Sequence, residues 1–277
     1  MNILVLRSYG DYTIMLNAIQ HSTAQKPIHL ILSKHLQPLH EALNLTIPEN
    51  YTIEFVDFKI RNGILGIFTN KHFFSLHSLK EILSIKKYFT NKQTQLTYLE
   101  HKKRSFIFHL FSKLRVRGIY DKGNIYESFN SFFESTSSPN RVNKVSVLLN
   151  VIIFPDSRKS NKQIDDNTLN NLCQMLRDRK LNVLVAKHNL DIINNCIQHH
   201  YQLKGYYNFQ ELVELVKNAD FIFSSDSLPV HIAEIFNKPH WILYNNKINS
   251  NWLTPSSKLK HNYCTFDEIQ SINNILN

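Results

Sequence analysis

Three short segments combine acidic, basic and hydroxyl side chains in patterns suited to a phosphorylated ligand. The first, Arg7-Ser8-Tyr9-Gly10-Asp11, follows the apolar run Ile3 to Leu6. Gly10 allows a tight turn there. Asp11 opens the next helix, either as a simple N-cap or as a working carboxylate. The second segment, from Phe154 to Lys162, places Arg158, Lys159 and Lys162 within five positions. Arg158 can grip phosphate oxygens with a planar fork and Lys162 can meet them as a point charge; a solvated basic loop is the plainer reading. The third, Ser224-Ser225-Asp226-Ser227-Leu228-Pro229-Val230-His231, lies between an apolar strand and a helix whose first turn holds Pro229. Asp226, the serines and His231 gather donors and acceptors at that helix N-terminus, where the macrodipole favours a diphosphate. A well-capped helix with a structural His231 would have the same local chemistry.

These segments make sense only if strands and helices bring them to one edge. In the first half, strand-like runs at Ile3 to Leu6, Ile28 to Leu32 and Ile53 to Val56 alternate with helix-like stretches at Tyr12 to His21 and His35 to Leu43. In the second half, strands at Val145 to Phe154, Leu181 to Ala186, Asp220 to Ser224 and His240 to Tyr244 alternate with helices at Leu169 to Arg179, Phe209 to Lys217 and Pro229 to Phe236. Such alternation implies βαβ units and parallel sheets covered on both faces. Ligands of these sheets bind beyond the carboxyl ends of the strands, where all three segments fall. The polar stretch Glu134 to Asn143 interrupts the periodicity and reads as a linker. The expected fold is α/β, with two Rossmann-like domains, 1–138 and 139–277, facing a cleft.

Composition removes several alternatives. With 277 residues and 43% apolar side chains, the chain can fill real cores. It has six glycines, no G-x-G-x-x-G and no P-loop pattern, which excludes glycine-rich dinucleotide and P-loop sites. Three widely spaced cysteines and no H-E-x-x-H give no support to a disulfide scaffold or a zinc centre. The apolar run that Arg7 ends is too short for a signal peptide, and no stretch is long enough for a membrane span. A cytoplasmic protein with reduced thiols is expected.

The three segments together resemble the ADP-heptose family of bacterial glycosyltransferases, glycosyltransferase family 9. The resemblance rests on ILVLRSYGD, FPDSRKSNK and, most specifically, ADFIFSSDSLPVHIAEIFNKPHWILYNN. It implies a GT-B fold, with the nucleotide-sugar held mainly by the C-terminal domain and the acceptor by the N-terminal one, and sugar transfer with inversion and without a metal or other cofactor. The absence of any D-x-D agrees with that. By match to the family's motifs, Asp11 would be the general base, with Arg7 and Gly10 beside it on the acceptor side. Arg158 and Lys162 would neutralise the departing diphosphate, aided by helix amides near Ser227 and Leu228. Asp226 would accept from donor sugar hydroxyls, and His231 would contact the diphosphate or the sugar.

The sequence departs from the family pattern in three places, the first being a loop after the opening strand that is two residues shorter than the usual family form. Leu228 stands where the family generally has Gly, restricting φ and backbone approach. Ala186-Lys187-His188-Asn189 replaces a Gly-rich turn bearing an acidic residue, so the usual ribose contact lacks an evident counterpart.

The charge sharpens the choice of partner. Of the net +10, residues 1–142 carry +8, and residues 71–122 alone hold 12 Lys or Arg interleaved with aromatic residues. On the glycosyltransferase reading this stretch is a surface segment that docks at the anionic inner face of the bacterial membrane, where a lipopolysaccharide or lipooligosaccharide acceptor is anchored. The rival readings are a non-catalytic binder of acidic polysaccharide or nucleic acid on the same scaffold, and a nucleotide-sugar epimerase. Nucleic acid is disfavoured as a partner, because no RNP-type aromatic motif is present.

Overall fold

The computed structural model describes residues 1–5, 8–57, 97–101, 115–120, 122–136, 150–157, 159–188 and 201–274. They divide into two compact units, Met1–Thr136 and Ser137–Asn277.

In the first unit, β1 (Asn2–Val5) is buried along its whole length and lies at the centre of a parallel sheet. A strand with no solvated face reads as a continuous apolar run, as Ile3-Leu4-Val5 does. The helix α1 (Tyr9–Gln20) follows, then β2 (Ile28–Ser33), a single 3₁₀ turn at Lys34–Leu36, α2 (Gln37–Leu43) and β3 (Tyr51–Val56). Further along come β4 (Thr97–His101), β5 (Val116–Tyr120) and α3 (Ile125–Phe132). The sheet order is β3-β2-β1-β4-β5. The chain thus winds outward from β1 in both directions, and the order reverses between β1 and β4.

One expectation is corrected here. The stretch 71–122 is not wholly a surface segment: β4 pairs with both β1 and β5, and Thr97 is buried. Thr97-Tyr98-Leu99-Glu100-His101 has neither a long apolar run nor strict alternation and lies among lysines, which conceals this strand from a composition reading. The boundary between the two units, Thr136/Ser137, falls within the expected linker Glu134 to Asn143, and the linker's first residues are tied to the end of α1. Ser22 Oγ donates to the Phe133 carbonyl, Thr23 Oγ1 donates to Glu134, and the Thr136 N–H donates to His21.

In the second unit, β6 (Asn150–Phe154) leads through a 3₁₀ turn at Ser160–Lys162 into α4 (Asp166–Asp178), β7 (Asn182–His188) and β8 (Gln202–Tyr206). The chain then forms α5 (Phe209–Asn218), β9 (Phe221–Ser225), α6 (Leu228–Ile235), β10 (His240–Tyr244), α7 (Pro255–Lys260) and β11 (Tyr263–Thr265). All strand pairs described are parallel, in the order β11-β10-β9-β6-β7-β8.

Alternate residues of the inner strands, Val151, Ile153, Phe223, Trp241 and Leu243, pack with Leu169, Leu172 and Leu176 of α4. On a second cluster, Val230 of α6 meets Ile242, Tyr244 and Leu253. The helices start where hydrogen-bonding side chains cap them: Asp165 on α4, Asn208 on α5 and Thr254 on α7. Strand order reverses between β6 and β9, the switch point at which sheets of this kind open a crevice for ligands.

Candidate functional site

Asp11 lies at the third position of α1, and Ser8 is the N-cap, with its Oγ accepting the Asp11 N–H at 3.4 Å. The expectation of Asp11 as a helix cap is therefore corrected. So is that of Gly10 in a tight turn, since Gly10 is the second residue of the helix. Capping makes no use of the Asp11 side chain, yet Asp11 is only 3% exposed. A carboxylate is rarely buried unless something holds it, and the positive end of α1 favours its charge.

Aromatic and imidazole rings surround this turn. Tyr9 meets His35 edge-on at 5.5 Å, and His35 Nδ1 lies 2.7 Å from Ser33 Oγ at the end of β2. The Tyr12 hydroxyl lies 2.8 Å from His40 Nδ1. Burial pushes the Tyr12 phenol up and the His40 imidazole down, so the two share a neutral hydrogen bond. Arg7 lies outside the described residues.

In the second unit, the loop after β6 and the loop after β9 meet at the strand-order switch. Lys162 Nζ donates to Asp226 Oδ2 at 2.5 Å and to the Asp226 carbonyl at 3.4 Å. The Asp226 side chain is 3% exposed and that of Lys162 is 31% exposed. The family resemblance implies separate duties for these two residues; in the structure they hold each other. Ser225 Oγ donates to the Asp156 carbonyl, and the Asp156 carboxylate accepts the His188 N–H at 2.8 Å, joining β7 to the same edge. Arg158 and Asn189 lie outside the described residues.

Ser227 is the N-cap residue of α6, but its Oγ makes no capping bond and turns toward Ser224 and Ser225. The first turn of α6 carries no acidic side chain. Neither an N-cap oxygen nor a first-turn carboxylate therefore occupies these amides, which suits them and the helix dipole to an external anion. Leu228 is the first helical residue and half-buried, with ordinary helical backbone. The expected restriction on φ is corrected accordingly, because no left-handed conformation is needed at position 228. His231 is buried within α6.

Tyr244 falls inside the third family segment, but neither the residue pattern nor the resemblance assigns it a role. It ends β10, is 5% exposed, and its hydroxyl is buried with no hydrogen-bond partner among the described residues. Burial pushes its phenol far up, with the Asp226 charge adding to the effect. The only signal in the sequence was its place at a strand's carboxyl end, beside the Asp226 strand.

A family model described as glycosyltransferase family 9 (heptosyltransferase) matches residues 131–272. No curated protein matches the chain in sequence. Among solved structures, the E. coli heptosyltransferase WaaC with ADP is similar at a TM-score of 0.62 and 11% identity, over 100% of this chain and 99% of that one. A glycosyl transferase family 9 protein from Veillonella parvula aligns at a TM-score of 0.61 and 10% identity, over 99% and 88% of the two chains. The E. coli ADP-heptose lps heptosyltransferase II aligns at 0.55 and 15% identity, over 96% and 90%. At these identities the likeness is one of fold: two parallel sheets with interspersed helices, as in GT-B heptosyltransferases.

Proposed function

The chain belongs to glycosyltransferase family 9, and on that premise we propose that it transfers one sugar, with inversion and without a metal ion, from a nucleotide-sugar to a bacterial surface glycan. ADP-heptose or another hexose donor is the proposed substrate, and a lipopolysaccharide or lipooligosaccharide is the proposed acceptor. The observation that carries the reading is the charge arrangement at the β6–β9 switch. A flexible-stemmed cation, Lys162, sits beside a helix N-terminus whose first turn carries no acidic side chain. That combination suits a diphosphate.

In the proposed reaction, the Asp11 carboxylate takes the proton of an acceptor hydroxyl as its oxygen attacks the anomeric carbon. The bond from that carbon to the diphosphate oxygen breaks, and the leaving group departs with the electron pair. A carboxylate is a weak base at neutral pH, so it acts only when held close to the proton it removes. The buried, dipole-oriented position of Asp11 in α1 supports that role. Lys162, Arg158 and the amides at Ser227 and Leu228 receive the charge of the leaving diphosphate, which is preorganised stabilisation of the departing anion. His231 contacts the diphosphate or the sugar.

We further propose that basic residues between 71 and 122, apart from the strands β4 and β5, dock the protein at an anionic membrane surface. No described helix is long and apolar enough to cross a membrane.

A thermal-shift panel of ADP, UDP, GDP and CMP sugars tests the donor part. A ligand at 100 times its Kd stabilises by about 2.7 kcal/mol. A shift with one nucleotide class is expected. No shift with any would favour the non-catalytic binder of acidic polysaccharide or nucleic acid.

A further inference from the structure

Asp226 and Tyr244 are neighbours by strand register. In the β9–β10 pairing Ser225 is opposite Leu243, and the next residues along the two parallel strands are Asp226 and Tyr244. Both are buried, at 5% exposure each. Asp226 already has a partner, because Lys162 reaches it from the loop after β6. The Tyr244 hydroxyl has none among the described residues. A buried hydroxyl is seldom left unsatisfied, so this one calls for an explanation, of which a role in the site is one.

Lys162 is the movable member of the group. Its side chain is about a third exposed, it lies on a single 3₁₀ turn, and its flexible stem carries a compact charge. When a diphosphate sits at the N-terminus of α6, Lys162 is drawn toward the phosphate oxygens. The Asp226 carboxylate, buried and anionic, would then lose its donor, a strongly unfavourable outcome unless another replaces it.

We propose that Tyr244 is a positioning residue for donor binding: on nucleotide binding Lys162 passes from Asp226 to the diphosphate, and the Tyr244 hydroxyl takes its place as hydrogen-bond donor to the Asp226 carboxylate. The exchange keeps Asp226 satisfied and fixed in both states, and frees the cation without moving a strand. It rests on the donor reading above. It goes beyond that reading by assigning the pairing in the free protein, and the residue that replaces it, to the same site.

The test is calorimetric titration of ADP, UDP and GDP into the full chain and its Tyr244→Phe, Asp226→Asn and doubly substituted variants, with thermal melting of each in the free state. For the nucleotide that wild type binds, Tyr244→Phe is expected to weaken affinity about tenfold, the factor carried by one charge-assisted hydrogen bond. Its free-state Tm should not fall, since no bond is lost there. Asp226→Asn releases Lys162 in advance, so it should bind at least as tightly as wild type, and adding Tyr244→Phe should then change nothing. If Tyr244→Phe binds as wild type does, or if its loss persists fully in the Asp226→Asn background, the exchange is wrong while the donor site stands. A free-state Tm lowered as much as the bound-state Tm would make Tyr244 merely structural. If wild type binds none of the three nucleoside diphosphates, the diphosphate site fails and the exchange with it.

Discussion

Lys162 Nζ donates to Asp226 Oδ2 across 2.5 Å, although the two residues are 64 positions apart in the chain. They meet because β6 and β9 are hydrogen-bonded neighbours, so the loops leaving their carboxyl ends share one edge of the sheet. The pair places a cation and a buried carboxylate where the strand order reverses, which is where a sheet of this topology holds a ligand.

Removing the lysine should therefore affect stability as well as binding. Lys162→Met is expected to lower unfolding free energy by about 2 kcal/mol, less than the 3 to 5 of a fully buried pair, because Lys162 is partly exposed. Asp226→Asn in the same chain should recover most of that loss. Denaturant melts of the two single variants and the double variant give the coupling directly.

The start of α1 offers a separate test. Ser8→Ala removes the oxygen that accepts the Asp11 N–H and should lower stability by about 1 kcal/mol. If Asp11 is the base, loosening this turn should also lower kcat more than it raises the donor KM. Ser8→Thr should retain most of both quantities.

Much of this architecture is legible in the sequence, for a physical reason. The central strands β1, β6, β9 and β10 are buried over most of their length, and their cores, Ile3-Leu4-Val5, Val151 to Phe154, Phe221-Ile222-Phe223 and Trp241 to Tyr244, stand out as apolar runs. The segment Ser224–His231 is legible because turn, proline and helix follow one another locally. Strands toward the sheet edges are not. Gln202–Tyr206 and Val116–Tyr120 carry charges on a solvated side, and Tyr263–Thr265 is too short to show a period. Nor can the sequence show Ser8 displacing Asp11 as cap, since both are good capping residues. The Lys162–Asp226 contact and the unpartnered Tyr244 hydroxyl depend on strand order, which no local pattern encodes.

Stability should fall in mild acid. His240 is buried, with Nδ1 2.9 Å from the Lys238 carbonyl and Nε2 2.7 Å from Thr254 Oγ1. Burial holds its imidazole below the usual range, against the opposing effect of Glu234. The unfolded chain therefore binds this proton more readily than the folded one. Stability is full above pH ~6.5 and is lost as the pH falls from there toward the folded value, by at most about 1.4 kcal/mol per pH unit for this group. His40, also held low, adds in the same direction. Melts at pH 7.5 and 5.5 should differ, and His240→Gln should reduce the difference.

Membrane docking predicts a salt-sensitive interaction. Neutralising Lys102, Lys103 and Arg104, which lie outside the described residues, should weaken binding to phosphatidylglycerol vesicles at low ionic strength by up to about 1 kcal/mol per charge. The difference should shrink as salt shortens the screening length. Unchanged vesicle binding and acceptor KM at low salt would remove this part of the account.

Sugar transfer itself is the most direct test. Incorporation of labelled sugar from a nucleotide-sugar panel into lipopolysaccharide acceptors should be measured with EDTA present, for wild type and Asp11→Asn, alongside nucleotide binding. Wild type should transfer with one donor class. Asp11→Asn should lose about a thousandfold in rate, within the range of a general base, while its nucleotide affinity and Tm stay unchanged. Full activity in Asp11→Asn, or no transfer by wild type from any donor, would contradict the account.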